Sequence, residues 1–147
     1  MHRRRFQRLI DAEAIRKAIE AAESETSGEI RVSVSTFFWG SVRRAAERAF
    51  VRLGMTATAE RNGVLFFVVP SRRRFVVLGD EGIHARVGQE FWDRVAAEMS
   101  KRFRAGDFTG GIEAGIAEAG RRLAEHFPHQ GERDVNELPD AVDFGRE

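Results

Sequence analysis

The chain has 147 residues, enough for one domain with a sizeable core. Hydrophobic residues make up 42% and charged residues 32%, a globular balance, and a net charge of +1 predicts no general attraction to nucleic acid or anionic lipid. The lack of cysteine excludes disulfides, thiolate zinc sites and cysteine nucleophiles, and no apolar run reaches the ~18 residues that a membrane span needs.

The basic start, Met1-His2-Arg3-Arg4-Arg5-Phe6, leads into a charged, amphipathic stretch rather than an apolar leader, so a cytoplasmic location is expected. Asp11 suits the N-cap of a first helix, with Ile10 and Ile15 placed to staple its entry. Ile15, Ala18, Ile19 and Ala22 recur at helical spacing, and Ser27-Gly28 is the stop. Glu29 to Ser35 alternates, Ile30, Val32 and Val34 on one face against Arg31 and Ser33 on the other, which predicts a half-buried strand. Phe37-Phe38-Trp39 follows, a denser aromatic cluster than a loop needs; core packing and a partner-binding patch both account for it.

Ser41 caps a second predicted helix carrying Val42, Ala45, Ala46, Ala49, Phe50 and Leu53, stopped by Gly54. The turn Arg61-Asn62-Gly63 opens the continuous apolar run Val64 to Val69, a central strand buried on both faces. Pro70 to Arg73 turns the chain, and Phe75 to Leu78 returns as a hairpin partner. After the break Gly79-Asp80-Glu81-Gly82, a short helical turn is predicted from Ile83 to Val87. A long helix follows with Phe91, Val95, Met99 and Phe103 on one side. Gly106-Asp107 separates it from a last helix bearing Ile112, Ile116, Ala119, Leu123 and Phe127, ended by Pro128. Residues 1–128 thus form one α/β domain, and 129–147 a polar, net acidic tail.

The first two strands flank a helix, so they should be parallel with a right-handed crossover; the hairpin makes the third antiparallel to the second. Because the second strand is apolar on both faces, helices must cover both. The expected fold is an α/β three-layer sandwich, a small mixed sheet of three to four strands flanked by helices.

Glycines 106, 110, 111, 115 and 120 do not make a phosphate loop: no strand precedes them and no Gly-Lys-Ser/Thr follows. Gly111 and Gly115 instead allow close packing of the last helix. His2, His84, His126 and His129 show no ligand spacing, and no Gly-x-Ser-x-Gly elbow exists. Arg72-Arg73-Arg74 with Arg43-Arg44 reads as a solvated turn and helix face, and no nucleic-acid partner is expected.

The topology brings one constellation together. Glu29 opens the first strand, Arg61 and Asn62 precede the second, and Asp80 and Glu81 end the third, all at one sheet edge with Glu25 and His84 nearby. Such an edge can hold a hard divalent cation through oxygen ligands, or set up acid/base chemistry. An ordinary ion-pair network, with Arg61 on Asp80, Glu81 or Glu29, explains the same residues equally well.

Thr26-Ser27-Gly28-Glu29-Ile30-Arg31-Val32, Arg61-Asn62-Gly63-Val64-Leu65, Gly79-Asp80-Glu81-Gly82-Ile83, Gly106-Asp107-Phe108 and Gly111-Ile112 resemble the TPM-domain family, in its short, soluble, cytoplasmic bacterial form. The tail Asp134-Val135-Asn136-Glu137-Leu138-Pro139-Asp140 is similar to the ending of such members, so the resemblance spans residues 11 to 140. It implies an α/β sandwich. Some members are associated with calcium binding and acid-phosphatase activity, others with assembly or repair of membrane complexes. Carried over by position, it implies Glu29, Asn62 and Asp80 as site residues, with Glu25 and Glu81 as helpers. Arg61 stands where members often have an acidic residue, and a second acidic position falls near Gly88-Gln89.

The leading expectation is a binding or assembly module with a protein partner. It has a weak Ca2+ or Mg2+ site made by Glu29, Asn62, Asp80 and Glu81, and no other cofactor. The alternative is a metal-dependent acid phosphatase, with Glu29 or Asp80 as ligands and Arg61 gripping the phosphate, so that Arg61 and Asp80 are the catalytic candidates. A further reading is peptide binding through Phe37, Phe38 and Trp39, favoured by an exposed Trp39. The acidic tail complements the basic start, so a monomer or weak homo-oligomer is expected.

Overall fold

A computed structural model describes residues 10–35, 39–129 and 140–145. In chain order they form α1 (Ala12–Glu23), β1 (Glu29–Val34), α2 (Val42–Arg52), β2 (Gly63–Val69), β3 (Arg74–Gly79), α3 (Glu81–Arg104) and α4 (Phe108–His126). Short 3-10 turns lie at Met55–Ala57 and Pro70–Arg72. The caps come from local sequence. Asp11 accepts from the Ala14 N–H, Ser41 from Arg44 and Asp107 from Gly110. Gly54, at φ 74, stops α2 in the left-handed conformation that favours glycine.

The sheet order is β1-β2-β3. β1 runs parallel to β2, with Glu29 opposite Gly63 and Val34 opposite Val68. β3 runs antiparallel to β2, with Val64 opposite Gly79 and Val69 opposite Arg74. On one face, Ile30, Val32, Val34, Val64, Phe66 and Val68 pack with α1, α3 and α4. On the other, Leu65, Phe67 and Val69 meet Val42, Ala46, Ala49 and Phe50 of α2, and Met55. This is the expected three-layer sandwich, and it accounts for the unbroken apolar run of β2: the central strand faces helices on both sides. Each large side chain fully buried there contributes roughly 1.5–3 kcal/mol. Gly115 lets α4 approach the sheet; a Cβ there would lie 2.8 Å from Phe66 and from the Met99 sulfur of α3.

The short helical turn expected around Ile83 to Val87 and the long helix after it are both present as the two segments of α3, divided at Gly88, where φ 73 and ψ 175 are not helical. One element differs from the sequence reading. β1, expected to be half-buried, is buried along its whole length, including the polar Glu29, Arg31 and Ser33. The cause lies far along the chain. Asp143 pairs with Ser33 in an isolated parallel bridge, and Val142 and Phe144 pack against the main core. A segment that the sequence presents as polar therefore covers the outer edge of β1, satisfying backbone groups that an open edge strand leaves unpaired.

Candidate functional site

The register sets Glu29, Gly63 and Asp80 in one row at the same end of the sheet: Glu29 is opposite Gly63, and the Asp80 N–H donates to the Gly63 carbonyl at 2.9 Å. Two strand spacings separate the outer members by about 9–10 Å, and their side chains join different neighbours.

Asp80 is the N-cap of α3, accepting from the Glu81 N–H at 2.8 Å. Arg61 closes on the same carboxylate with both oxygens engaged, at 2.6 and 2.9 Å, and reaches Glu81 at 3.4 Å. Asp80 is buried, whereas the Arg61 side chain is 40% exposed. Hydrogen bonding to Asp80 holds the Arg61 guanidinium above its ordinary pKa, so the cation is fixed. The loop reaches this position through a left-handed backbone at Arg61, φ 51, and through Gly82. A Cβ at Gly82 would lie 2.3 Å from the Glu60 carbonyl oxygen, and its N–H donates to the Arg61 carbonyl. The ion-pair network weighed from sequence is therefore present, and with Arg61 committed to Asp80 the arrangement does not favour the phosphatase alternative.

Asn62, buried at 1% exposure, donates its amide N–H to Glu60 at 3.2 Å, and Ser27 donates its hydroxyl to the same carboxylate oxygen at 3.1 Å. Asn62 Oδ1 is buried without a hydrogen-bond partner. Glu60 was missed in the sequence, although it stands two residues before Asn62. Among the described residues no group of three or more His, Asp or Glu side chains is arranged to hold a metal ion.

Glu29 turns to a second carboxylate cluster. It lines a cavity of about 260 Å³ with Glu20, Glu23, Thr26, His129 and Asp140. Burial, and then a hydrogen bond with Asp140, push the Glu23 carboxyl up to about 10, against the Ile30 N–H that donates to it at 2.7 Å. Glu23 is thus a protonated acid at neutral pH, tying α1 to the C-terminal segment. Of the other nearby candidates, His84 accepts from the Trp92 indole N–H at 2.9 Å, and Glu25 lines the groove between α1 and α4.

The third feature lies between α2 and the end of β1. A groove of about 550 Å³ is walled by Trp39, Arg48, Arg52 and Phe67, and Gly145 also lines it. Trp39 is 89% exposed. Phe37 and Phe38, paired with it in the sequence reading, lie outside the described residues, as do the basic first nine residues and 130–139. Arg52 binds Asp143 at 2.9 Å, and Ser33 donates to the same carboxylate at 2.8 Å. Burial opposes ionisation of Asp143, but these two bonds, together with the charge of Arg52 and the Gly145 N–H, outweigh it and hold its pKa below the ordinary value.

A family model for the TPM domain matches residues 7–122. The chain belongs to the TPM-domain family. The NMR structure of BA42 protein from the psychrophilic bacterium Bizionia argentinensis is similar over 91% of this chain and 92% of that one, with TM-score 0.85 and 38% identity. The N-terminal domain of a P. gingivalis protein is similar at TM-score 0.62 and 17% identity, over 79% of this chain and 76% of that one. The N-terminal domain of the cg2496 protein from Corynebacterium glutamicum is similar at TM-score 0.60 and 13% identity, over 92% and 78%. These last two share the fold alone. No curated protein matches the chain. In this TPM domain no helix among the described residues is long and apolar enough to cross a membrane.

Proposed function

We propose that this TPM domain is a non-enzymatic binding module that assembles with a protein partner through the groove between α2 and β1. The exposed indole of Trp39 carries this reading. It stands beside Arg48 and Arg52 over an apolar floor of Ala45, Ala49 and Phe67. Tryptophan and arginine around a desolvated centre are the groups that supply most interface energy. The exposure of Trp39 also means that its removal leaves the core intact. Proteins retained by the wild-type chain and lost by Trp39→Ala support the module. An unchanged set of retained proteins overturns it, and so does metal-dependent phosphomonoester turnover that disappears in Arg61→Ala.

A weak Ca2+ or Mg2+ site is a second reading, favoured by the buried, unpartnered Asn62 Oδ1. Glu29, Asn62, Asp80 and Glu81 together do not make a complete cage. Asp80 is bound by Arg61, and Glu29 lines the other carboxylate cavity. Calcium takes about six to eight oxygens, so Asn62 and Glu60 would need water to complete the shell. Calorimetric titration of the full chain should give a small heat that Asn62→Ala removes; equal heats in the two proteins would eliminate the site.

A further inference from the structure

We infer that the outer edge of β1 is a docking site for an acidic, extended segment of a partner protein, and that residues 141–145 are its intramolecular occupant. The inference rests on the module reading, because the edge runs into the Trp39 groove. The backbone carries the first part of the argument. The Val34 N–H donates to the Asp143 carbonyl at 2.7 Å, and the Asp143 N–H donates to the Val32 carbonyl at 2.9 Å. The segment thus adds to the sheet as a parallel strand, the usual mode of peptide capture at a sheet edge. Earlier on the same edge, the Ile30 N–H is closed by Glu23, which confines the open part of the edge to the end near the groove.

Side chains carry the second part. Successive residues of an added strand face opposite sides of the sheet, and each side here has its own subsite. Asp143 enters the polar one, where Arg52 and Ser33 hold its carboxylate. Val142 and Phe144 enter the apolar one, half-buried against the main core. The matching ligand is apolar-Asp-aromatic, with acidic character answering the arginines of α2. Gly145 also lines the groove whose walls are Arg48, Phe67 and Trp39. A partner segment with a larger side chain at that place gains contacts with Trp39 and Phe67 that a glycine does not make.

An attached segment competes at an effective concentration on the order of millimolar, so the wild-type chain should take a free peptide poorly. The probe is a fluorescein-labelled peptide, Asp-Ala-Val-Asp-Phe-Gly-Arg-Glu, with the sequence of residues 140–147. Fluorescence anisotropy should show saturable binding to full-length Asp143→Ala at least tenfold tighter than to wild type. Binding should be lost in the double variant Asp143→Ala/Arg52→Ala, and lost with a peptide whose Asp at the 143 position is Asn. Circular dichroism confirms that each variant is folded. No saturable binding to folded Asp143→Ala, or equal binding to wild type and to the double variant, overturns the inference. The module reading is tested separately by the Trp39→Ala capture and would survive that failure.

Discussion

Two aspartate–arginine pairs stabilise this TPM domain in contrasting ways. Asp80 and Arg61 are 19 positions apart and meet at the end of a hairpin, where the same carboxylate caps α3. Asp143 and Arg52 are 91 positions apart and fasten a segment onto the edge of β1. The chemistry is the same, yet the first pair is integral to the fold and the second holds something that can be exchanged. An ion pair built on top of a helix cap and sheet register is lost only with those elements. One that joins an added strand through two main-chain bonds can open alone.

The contrast can be broken most sharply at Asp80. Asp80→Ala removes a cap and the partner of Arg61 together; since Arg61 is partly exposed, a cost of about 2–3 kcal/mol is expected in urea unfolding, without loss of two-state behaviour. A cost below about 0.5 kcal/mol would remove the distinction. Asp143→Ala should cost less, about 1.5 kcal/mol, and raise amide exchange at Val34 while leaving β2 protected. Exchange rising equally in both strands would mean that the segment is as integral as the cap.

The carboxylates on the two sides of the C-terminal segment titrate in opposite senses. Glu23, raised from 4.5 to about 10, keeps its proton in the fold and loses it in the unfolded chain, so its contribution to stability is full below pH 4.5 and disappears as the pH rises to about 10. Asp143, lowered from 3.8, stabilises above that value and loses its contribution as the pH falls through its folded pKa. Glu23→Gln should therefore flatten the decline of stability between pH 5.5 and 9, by at most about 1.4 kcal/mol per pH unit. Parallel curves for wild type and variant would show that Glu23 is ionised. Trp39→Ala should have the smallest effect on stability, under about 0.5 kcal/mol, since the indole is 89% exposed; a larger loss would place Trp39 in the core and not in a binding face.

Much of the architecture was legible in the residues. Asp11, Ser41 and Gly54 announced helix ends because caps act over three or four residues. The apolar run from Val64 to Val69 announced a central strand because burial on both faces leaves no polar position. The βαβ rule even placed Glu29 and Asp80 at one end of the sheet. It did not place their side chains: Glu60 joined Asn62 and Glu29 joined Glu23, choices that depend on which neighbour is nearest once the sheet twists.

By itself, then, the sequence determined the helices, the strands, their order and the two-sided core, since all of these follow from periodicity and capping within short windows. The tertiary structure alone decided that β1 is buried to its edge, that Glu23 carries a proton, and that Asp143 finds Arg52 and Ser33. Those outcomes join residues some hundred positions apart, and their strength comes from exclusion of water, which exists only after the chain has closed around them.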